Sequence, residues 1–254
     1  MAANSPITVQ EADRRLAPIA HAYSADARWL RIRTQDYFGM LDFTGKRVLD
    51  VGAGKGLYAC CVAALNAECV VALEPEFAGS RNTAITIFRE RIEWLGLRNI
   101  EFHPVALEAY TAPPASFDLI CMIAVINHLD ETHVQTLHAD ERSRLVYRSI
   151  LQPVYDWLKP GGMLVISDVP PTHPYMPLVK IGLLKRHPFQ PSIEWHKHQH
   201  PAVWKQLLES IGFTDVRYHW ATNWRYPWIP RFLVDNPLTA QLYSSQFVLR
   251  AMKR

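Results

Sequence analysis

Short apolar runs alternate along the chain with segments in which apolar residues recur every three or four positions. The runs have the length of buried strands and lie at residues 47–51, 68–73, 100–103, 117–123 and 163–167. The helical stripes lie at residues 57–65, 85–95 and 147–158. Short buried strands that alternate with helices are typical of a parallel sheet covered on both faces. The pattern therefore predicts an α/β fold with a doubly wound sheet.

The pattern changes after Asp168, where prolines become frequent. They stand at positions 170, 171, 174, 177, 188 and 191. Such spacing leaves no room for a long regular element. We therefore predict a cap or insertion at about residues 169–200, after the fifth strand.

Regular structure returns beyond this cap. A proline at its start and a glycine at its end mark a helix at residues 201–212, and two strands follow near 216–220 and 243–249. The domain is expected to cover residues 46–254, preceded by an N-terminal helical segment at residues 1–45.

Composition bears on the size of the hydrophobic core and on the cellular compartment of the protein. The 254 residues are 49% hydrophobic, which is enough for a packed core without a disulfide or a structural metal. The four cysteines lie in or beside apolar runs, as is typical of reduced thiols in a cytoplasmic protein. No run approaches the roughly 20 apolar residues of a membrane span, and residues 1–15 lack the apolar core of a signal peptide. A cytoplasmic protein with no membrane partner is expected.

Charge bears on the choice of partner. The chain has 27 basic and 24 acidic residues, a formal net charge of +3, and its basic residues are scattered. A nucleic-acid-binding surface normally concentrates basic side chains on one face. We therefore expect no nucleic-acid partner.

The strand at residues 47–51 leads into a glycine-rich turn and then into a helix. Gly52, Gly54 and Gly56 stand at alternate positions, which lets the backbone pass close to a ligand. A dinucleotide fingerprint would need glycine where this chain has Leu57, and the Gly-Lys-Ser/Thr ending of a phosphate loop is absent. These two ligand classes are therefore disfavoured.

A carboxylate closes the second strand. Glu74 follows Leu73, 18 positions beyond Gly56, at the place where open α/β sheets hold a ribose diol. Strand, glycine turn, helix and carboxylate in this order predict a site for a ribose-containing cofactor.

These motifs resemble those of class I methyltransferases that depend on S-adenosylmethionine. Residues 50–56 are similar to the family's first motif, and Glu74 is similar to its ribose-binding acid. Residues 117–120 and 124–129 are similar to its fourth strand and the turn after it, and residues 158–162 to the turn before its fifth strand.

The resemblance covers residues 46–168 well and residues 201–254 loosely. It implies a Rossmann-like, doubly wound seven-stranded sheet in which only the last strand is antiparallel. It also implies S-adenosylmethionine as the cofactor.

The resemblance further implies which residues hold the cofactor. They are Asp50, Gly52, Ala53, Gly54, Glu74, Pro75, Ala106, Leu107 and Ile123. Many family members place an acid for the adenine amino group where this chain has Ala106, so backbone groups of Ala106 and Leu107 are expected there. Glu108 either substitutes from two residues on or is a solvated loop carboxylate.

His128 is the predicted catalytic base, for an acceptor that must lose a proton. It follows the fourth strand, at the edge of the sheet where the resemblance places the methyl group. A positioning hydrogen bond is the alternative role. Plant-type O-methyltransferases carry their catalytic histidine one position earlier, at Asn127 in this chain, so their mechanism is not carried over.

The cap contains three alternating histidines, His196, His198 and His200. They could bind a metal, line the acceptor pocket, act as the base in place of His128, or be exposed. The only acidic residue near them is Glu194, so no metal is expected.

Aromatic residues are frequent between positions 170 and 230. A planar or sugar-like acceptor could be flanked by Trp195, Trp204, Trp220, Trp224, Tyr226 and Trp228. The alternative is that several of them fill the core between cap and sheet.

Together these features predict methyl transfer from S-adenosylmethionine to a small molecule, with the hydroxyl oxygen of the acceptor as the favoured site. The alternatives are methylation of nitrogen or carbon in a metabolite, and a non-catalytic scaffold that binds S-adenosylmethionine. The sequence assigns no oligomeric state.

Overall fold

The computed structural model describes residues 7–75, 83–186, 188, 192–221 and 246–254. Its backbone divides into two compact units, residues 1–122 and residues 123–254. The predicted domain boundary at residue 45 and the predicted cap limits at about 169 and 200 stay predictions.

Helices and strands alternate through most of the described part of the chain. The helices are α1 (Val9–Ala22), α2 (Ala27–Phe38), α3 (Leu57–Ala64), α4 (Thr83–Leu95), α5 (Glu141–Trp157), α6 (Met176–Lys180) and α7 (Pro201–Ile211). The strands are β1 (Arg47–Val51), β2 (Cys69–Leu73), β3 (Ile100–His103), β4 (Phe117–Ile123), β5 (Leu158–Asp168), β6 (Thr214–Trp220) and β7 (Phe247–Met252).

The strands form one seven-stranded sheet in the order β3-β2-β1-β4-β5-β7-β6. Strand β1 pairs in parallel with β2 and β4, and β2 pairs in parallel with β3. Strand β7 runs antiparallel to both β5 and β6. The predicted Rossmann-like fold with an antiparallel last strand is therefore confirmed.

In the first unit, the N-terminal helices pack on the helix that follows β1. Helices α1 and α2 contact each other and α3. Thr8 and Asp26 cap their N-termini, where each side chain accepts a backbone N–H of the first turn. The middle of α3 is buried all round, because it lies between these helices and the sheet.

In the second unit, an aromatic pair joins the two long helices. Tyr147 of α5 and Trp204 of α7 are fully buried, with ring centroids 5.2 Å apart in an edge-to-face arrangement. Trp204 therefore belongs to the core, the second of the two roles considered for it.

Strand β5 begins earlier than the pattern predicts. The predicted strand starts at residue 163, whereas β5 starts at Leu158, immediately after α5. The turn residues join the strand because Gly161 N–H donates to Lys253 O and Lys253 N–H donates to Gly162 O, both over 2.9 Å. Strand β7 likewise extends past the predicted end at residue 249 to Met252, and residues 243–245 lie outside the described part.

No helix among the described residues is both long enough and apolar enough to cross a membrane.

The residue before α3 is pressed against a ring of the neighbouring helix. Gly56 has φ +82°, and a Cβ built on it would lie 2.0 Å from two ring carbons of Phe88. Phe88 is fully buried, so its ring has little freedom to move away. Gly45 is a matched comparison, with φ +69° and no atom within 4 Å of its built Cβ in the part of the chain that the structure describes.

We expect Gly56→Ala to lower the free energy of unfolding by roughly 2 to 4 kcal/mol, because backbone strain and overpacking add. Gly45→Ala should cost about 1 to 2 kcal/mol, from strain alone. Urea denaturation of both variants and the wild type measures the difference. Equal losses in the two variants would contradict the assigned Phe88 contact.

Candidate active site

The loop between β1 and α3 is turned by its glycines. Gly52, Gly54 and Gly56 all have positive φ, at 69°, 56° and 82°. Ala53, between the first two, donates its N–H to Leu73 O over 2.8 Å and accepts from Gly56 N–H over 2.8 Å. The loop is thus bonded to the end of β2, and its sharp path depends on residues that tolerate positive φ.

Glu74 is joined directly to this loop. Gly54 N–H donates to Glu74 Oε2 over 2.8 Å. Burial raises the pKa of Glu74, and the Gly54 N–H opposes that rise. A Cβ built on Gly54 would meet no atom of a described residue within 4 Å. The loop therefore offers open space beside a carboxylate acceptor, which suits the ribose hydroxyls of S-adenosylmethionine.

Asp50 lies near the end of β1, two residues before Gly52. It is 3% exposed, and the Cys121 thiol donates to its Oδ1 over 3.4 Å. Burial raises the pKa of Asp50 to about 7, against the opposing hydrogen bond from Cys121. The neighbouring Glu74 carboxylate raises it further. The predicted contact of Asp50 with the cofactor stays a prediction.

The other predicted cofactor residues lie at the ends of strands and in the turn after β3. Ala106 precedes a short 3-10 turn, Leu107–Ala109, and accepts from Ala109 N–H over 3.1 Å. Leu107 is buried, Pro75 directly follows Glu74, and Ile123 ends β4. Their roles in binding the cofactor stay predictions.

In the second unit, the chain leaves β4 through a strained residue. Ala124 has φ 57°, a left-handed conformation that alanine seldom adopts, and its N–H donates to Ser167 O over 2.7 Å. This bond places the end of β4 beside the end of β5. Backbone strain of this kind persists where surrounding contacts enforce it, often at functional sites.

A buried polar cluster lies beyond these strand ends. Asn127, Asp168 and His198 are 0%, 3% and 6% exposed. The Nδ1 atom of His198 is 3.0 Å from Asn127 Nδ2 and 3.2 Å from Asp168 Oδ1. The cluster thus joins the turn after β4, the end of β5 and the histidine segment of the predicted cap.

Gln199 fixes the orientation of this cluster. Its N–H donates to Asn127 Oδ1 over 3.1 Å, and its side-chain amide donates to Val134 O over 2.6 Å. Because Asn127 Oδ1 accepts, the amide nitrogen of Asn127 must face His198.

His128 lies at the border of the cluster and is half exposed. Its Nδ1 is 3.0 Å from Glu131 Oε1, and its ring stands edge-on to that of His198, with centroids 5.8 Å apart. Glu131 also pairs with Lys197, over 2.9 Å. The Lys197 ammonium and the His128 ring lower the pKa of Glu131 and favour its carboxylate.

The three alternating histidines do not come together. Residues 195–197 form a 3-10 turn, so the extended geometry that would align the three rings is absent there. His196 and His200 are exposed, and the His200 side chain accepts from Ala202 N–H to cap α7. Within the described ranges, no group of three or more metal-ligating side chains is present.

The aromatic residues considered for the acceptor pocket have separate surroundings. Trp195 packs on His173 with ring centroids 4.5 Å apart, and the centroid of Trp220, at the end of β6, is 6.5 Å from that of His200. Trp224, Tyr226 and Trp228 lie outside the described residues.

Sequence reasoning singled out neither Asp168 as a functional residue nor Asn127 as a partner of His198. The sequence held one indication for Asp168, because this carboxylate directly follows the mainly apolar strand predicted at residues 163–167. The sequence indicated Asn127 only because plant-type O-methyltransferases carry their catalytic histidine at this position.

Known proteins place the chain in a family. A family model described as a methyltransferase domain matches residues 21–218. The chain belongs to this family and thus to the class I methyltransferases that depend on S-adenosylmethionine. S-adenosylmethionine is therefore its cofactor, and the open glycine loop with Glu74 fits that ligand.

Individual relatives differ in the acceptor that they name. A tRNA U34 carboxymethyltransferase of Alcanivorax borkumensis is 25% identical over 249 residues, which cover 89% of this chain and 66% of that protein. A ubiquinone biosynthesis O-methyltransferase of Ruegeria pomeroyi is 27% identical over 206 residues, which cover 79% and 74%. The chain thus spans just under two thirds of the length of the tRNA relative.

A solved structure supports the fold. An S-adenosylmethionine-dependent methyltransferase from Aquifex aeolicus superposes with a TM-score of 0.59 at 16% identity, covering 93% of this chain and 98% of that one.

We expect Glu74→Gln to weaken S-adenosylmethionine binding by roughly 1.5 to 3 kcal/mol, because hydrogen bonds to a charged group contribute about this much. Glutamine keeps an oxygen that can accept from Gly54 N–H, so the variant removes the charge with little change in the loop. Calorimetry measures the affinity, with the exposed Glu68→Gln as the matched control. Unchanged binding in Glu74→Gln would move the ribose contact to another residue.

Proposed function

We propose that this protein transfers a methyl group to a hydroxyl oxygen of a small molecule. The proposal depends mainly on one observation, the pair of imidazoles of His128 and His198 beside the ends of β4 and β5. Ligands of open α/β sheets bind outside the carboxyl ends of the strands. A hydroxyl acceptor must lose a proton when it is methylated, and imidazole accepts protons near neutral pH.

We propose that the glycine loop and Glu74 hold S-adenosylmethionine. When it is bound, this cofactor supplies an electrophilic methyl group. The chain's own task is to orient the acceptor and to take its proton. In the proposed step the acceptor O–H bond would break and its proton would pass to His128 Nε2. The oxygen electron pair would form the bond to the methyl carbon while the bond from that carbon to sulfur breaks, and the sulfur would leave with its electron pair as the neutral thioether of the demethylated cofactor.

The Glu131 carboxylate suits His128 to this role. A carboxylate beside Nδ1 holds the proton on that nitrogen, which leaves a lone pair on Nε2. Lys197 in turn keeps Glu131 ionised. No described residue bonds His128 Nε2, so that atom is available to a ligand.

The relatives that are named for tRNA favour a second candidate, a nucleic-acid acceptor. The scattered basic residues and the net charge of only +3 speak against a phosphate-binding face. We therefore propose the small molecule, and tRNA enters the test as a competing acceptor.

The test is transfer of a labelled methyl group to a panel of phenols, aliphatic alcohols, amines, carbon acids and unmodified tRNA. Label that is recovered as a methyl ether supports the proposal. Label that is found only on nitrogen, carbon or tRNA would replace the proposed acceptor class. Cofactor binding without transfer to any acceptor would favour the scaffold alternative.

We expect His128→Asn to lower kcat for a hydroxyl acceptor by about 100- to 10,000-fold, as loss of a general base does. Cofactor affinity should change little. Steady-state kinetics and calorimetry check both, with the exposed His196→Asn as the control. A variant with near-wild-type kcat would make His128 a positioning residue.

A further inference from the structure

A tyrosine at the end of α1 bonds the backbone of the glycine loop. The Tyr23 hydroxyl donates to Lys55 O over 2.6 Å, and Lys55 stands between Gly54 and Gly56. The same hydroxyl oxygen lies 3.6 Å from Cys60 Sγ in α3. A hydroxyl has a single proton, so the Cys60 thiol is the donor in this second contact. Tyr23 thus reaches both the loop and the helix that follows it.

The position of Tyr23 is fixed by the way in which α1 ends. Ser24 has φ 50°, and its N–H donates to His21 O over 3.3 Å. The N–H of Ala25 donates to Ala20 O over 2.8 Å. These two bonds around a left-handed residue form a Schellman motif, which ends a helix at a defined residue. The Tyr23 side chain therefore leaves the helix from a fixed point.

The ring and the hydroxyl of Tyr23 are both held in place. The guanidinium carbon of Arg91, in α4, lies 5.2 Å from the ring centroid, and a cation over a ring is attracted by its π electrons. Burial raises the pKa of Tyr23 far above its usual range. The hydroxyl therefore keeps its proton at neutral pH and remains a donor to the Lys55 carbonyl.

Side chains from two parts of the chain bond neighbouring peptide groups of the loop. Glu74, after β2, accepts the N–H of Gly54 over 2.8 Å. Tyr23, after α1, donates to the carbonyl of the next residue, Lys55. Glycine has more conformational freedom to lose than any other residue, so a peptide between two glycines depends on such bonds for a fixed orientation. The Tyr23 bond therefore restricts the path of the loop next to its contact with Glu74.

We infer that Tyr23 is a positioning residue for cofactor binding, which fixes the Lys55 peptide and so keeps the glycine loop in the shape that S-adenosylmethionine binds. The inference rests on the proposal that this loop and Glu74 hold the cofactor, and it does not depend on the acceptor. Coupling between two equilibria is reciprocal, so bound cofactor must in turn stabilise the end of α1. The N-terminal helices thus take part in cofactor binding through one hydroxyl.

The first test compares Tyr23→Phe with Thr8→Ala by calorimetry with S-adenosylmethionine. Phenylalanine keeps the ring beside Arg91 and removes the hydroxyl that bonds Lys55. The dissociation constant should rise about 2- to 10-fold, as expected for the loss of one neutral hydrogen bond. Thr8→Ala removes the N-terminal cap of the same helix, where Thr8 Oγ1 accepts Glu11 N–H over 3.2 Å, and should leave the affinity unchanged. An unchanged constant in Tyr23→Phe, or an equal rise in both variants, would overturn the inference.

Glu74→Gln separates this inference from the cofactor site on which it rests. If Glu74→Gln weakens binding and Tyr23→Phe does not, the loop holds the cofactor and the role inferred for Tyr23 is wrong. If neither variant weakens binding, the cofactor site lies elsewhere and both the site and the inference fail.

A second measurement uses the wild-type protein and does not depend on a variant folding. Amide hydrogen exchange followed by NMR should slow at Ser24 and Ala25 when S-adenosylmethionine is added, because their N–H groups close the end of α1. The N–H of Glu11, in the first turn of the same helix, is the internal control and should exchange at an unchanged rate. Unchanged exchange at residues 24 and 25, or equal slowing at both ends of α1, would overturn the inference.

Discussion

The second unit depends on one buried amide, that of Asn127. Its oxygen accepts from Gln199 N–H and its nitrogen reaches His198, so one side chain joins the turn after β4 to an irregular segment more than seventy residues away. A buried amide that loses a partner is costly, because the unpaired group keeps its full desolvation penalty. This requirement fixes where residues 198 and 199 lie, although no regular element holds them.

In the first unit, the comparable constraint is the sharp turn between β1 and α3. The sheet brings the ends of β1 and β2 together through parallel pairing, in which Val51 stands opposite Leu73. Glycines then turn the chain, and the bond from Gly54 to Glu74 joins the turn to the next strand. A sharp backbone turn requires glycines at fixed positions. The glycine turn and its neighbouring carboxylate could therefore be predicted from their spacing in the sequence.

The alternation of strands and helices, the glycine turn and Glu74 all follow from local patterns and could be predicted. The start of β5 could not, because Gly161 and Gly162 extend the strand through hydrogen bonds to Lys253, a residue far along the chain. The contacts of His198 were also beyond prediction. Alternation of His196, His198 and His200 indicates a shared face only in an extended chain, whereas a 3-10 turn separates these rings. The contact of Asp168 could not be predicted either, because its partner His198 lies in a segment with no periodic pattern.

Burial of Asp50 makes the proton a ligand of the native state. With a pKa of about 7 in the folded chain and about 3.9 in an unfolded one, this carboxyl binds a proton more tightly when the chain is folded. Its contribution to stability is complete below pH 4 and is lost as the pH rises towards 7. Folding is therefore accompanied by uptake of a proton at the end of β1 when the pH lies between these two values.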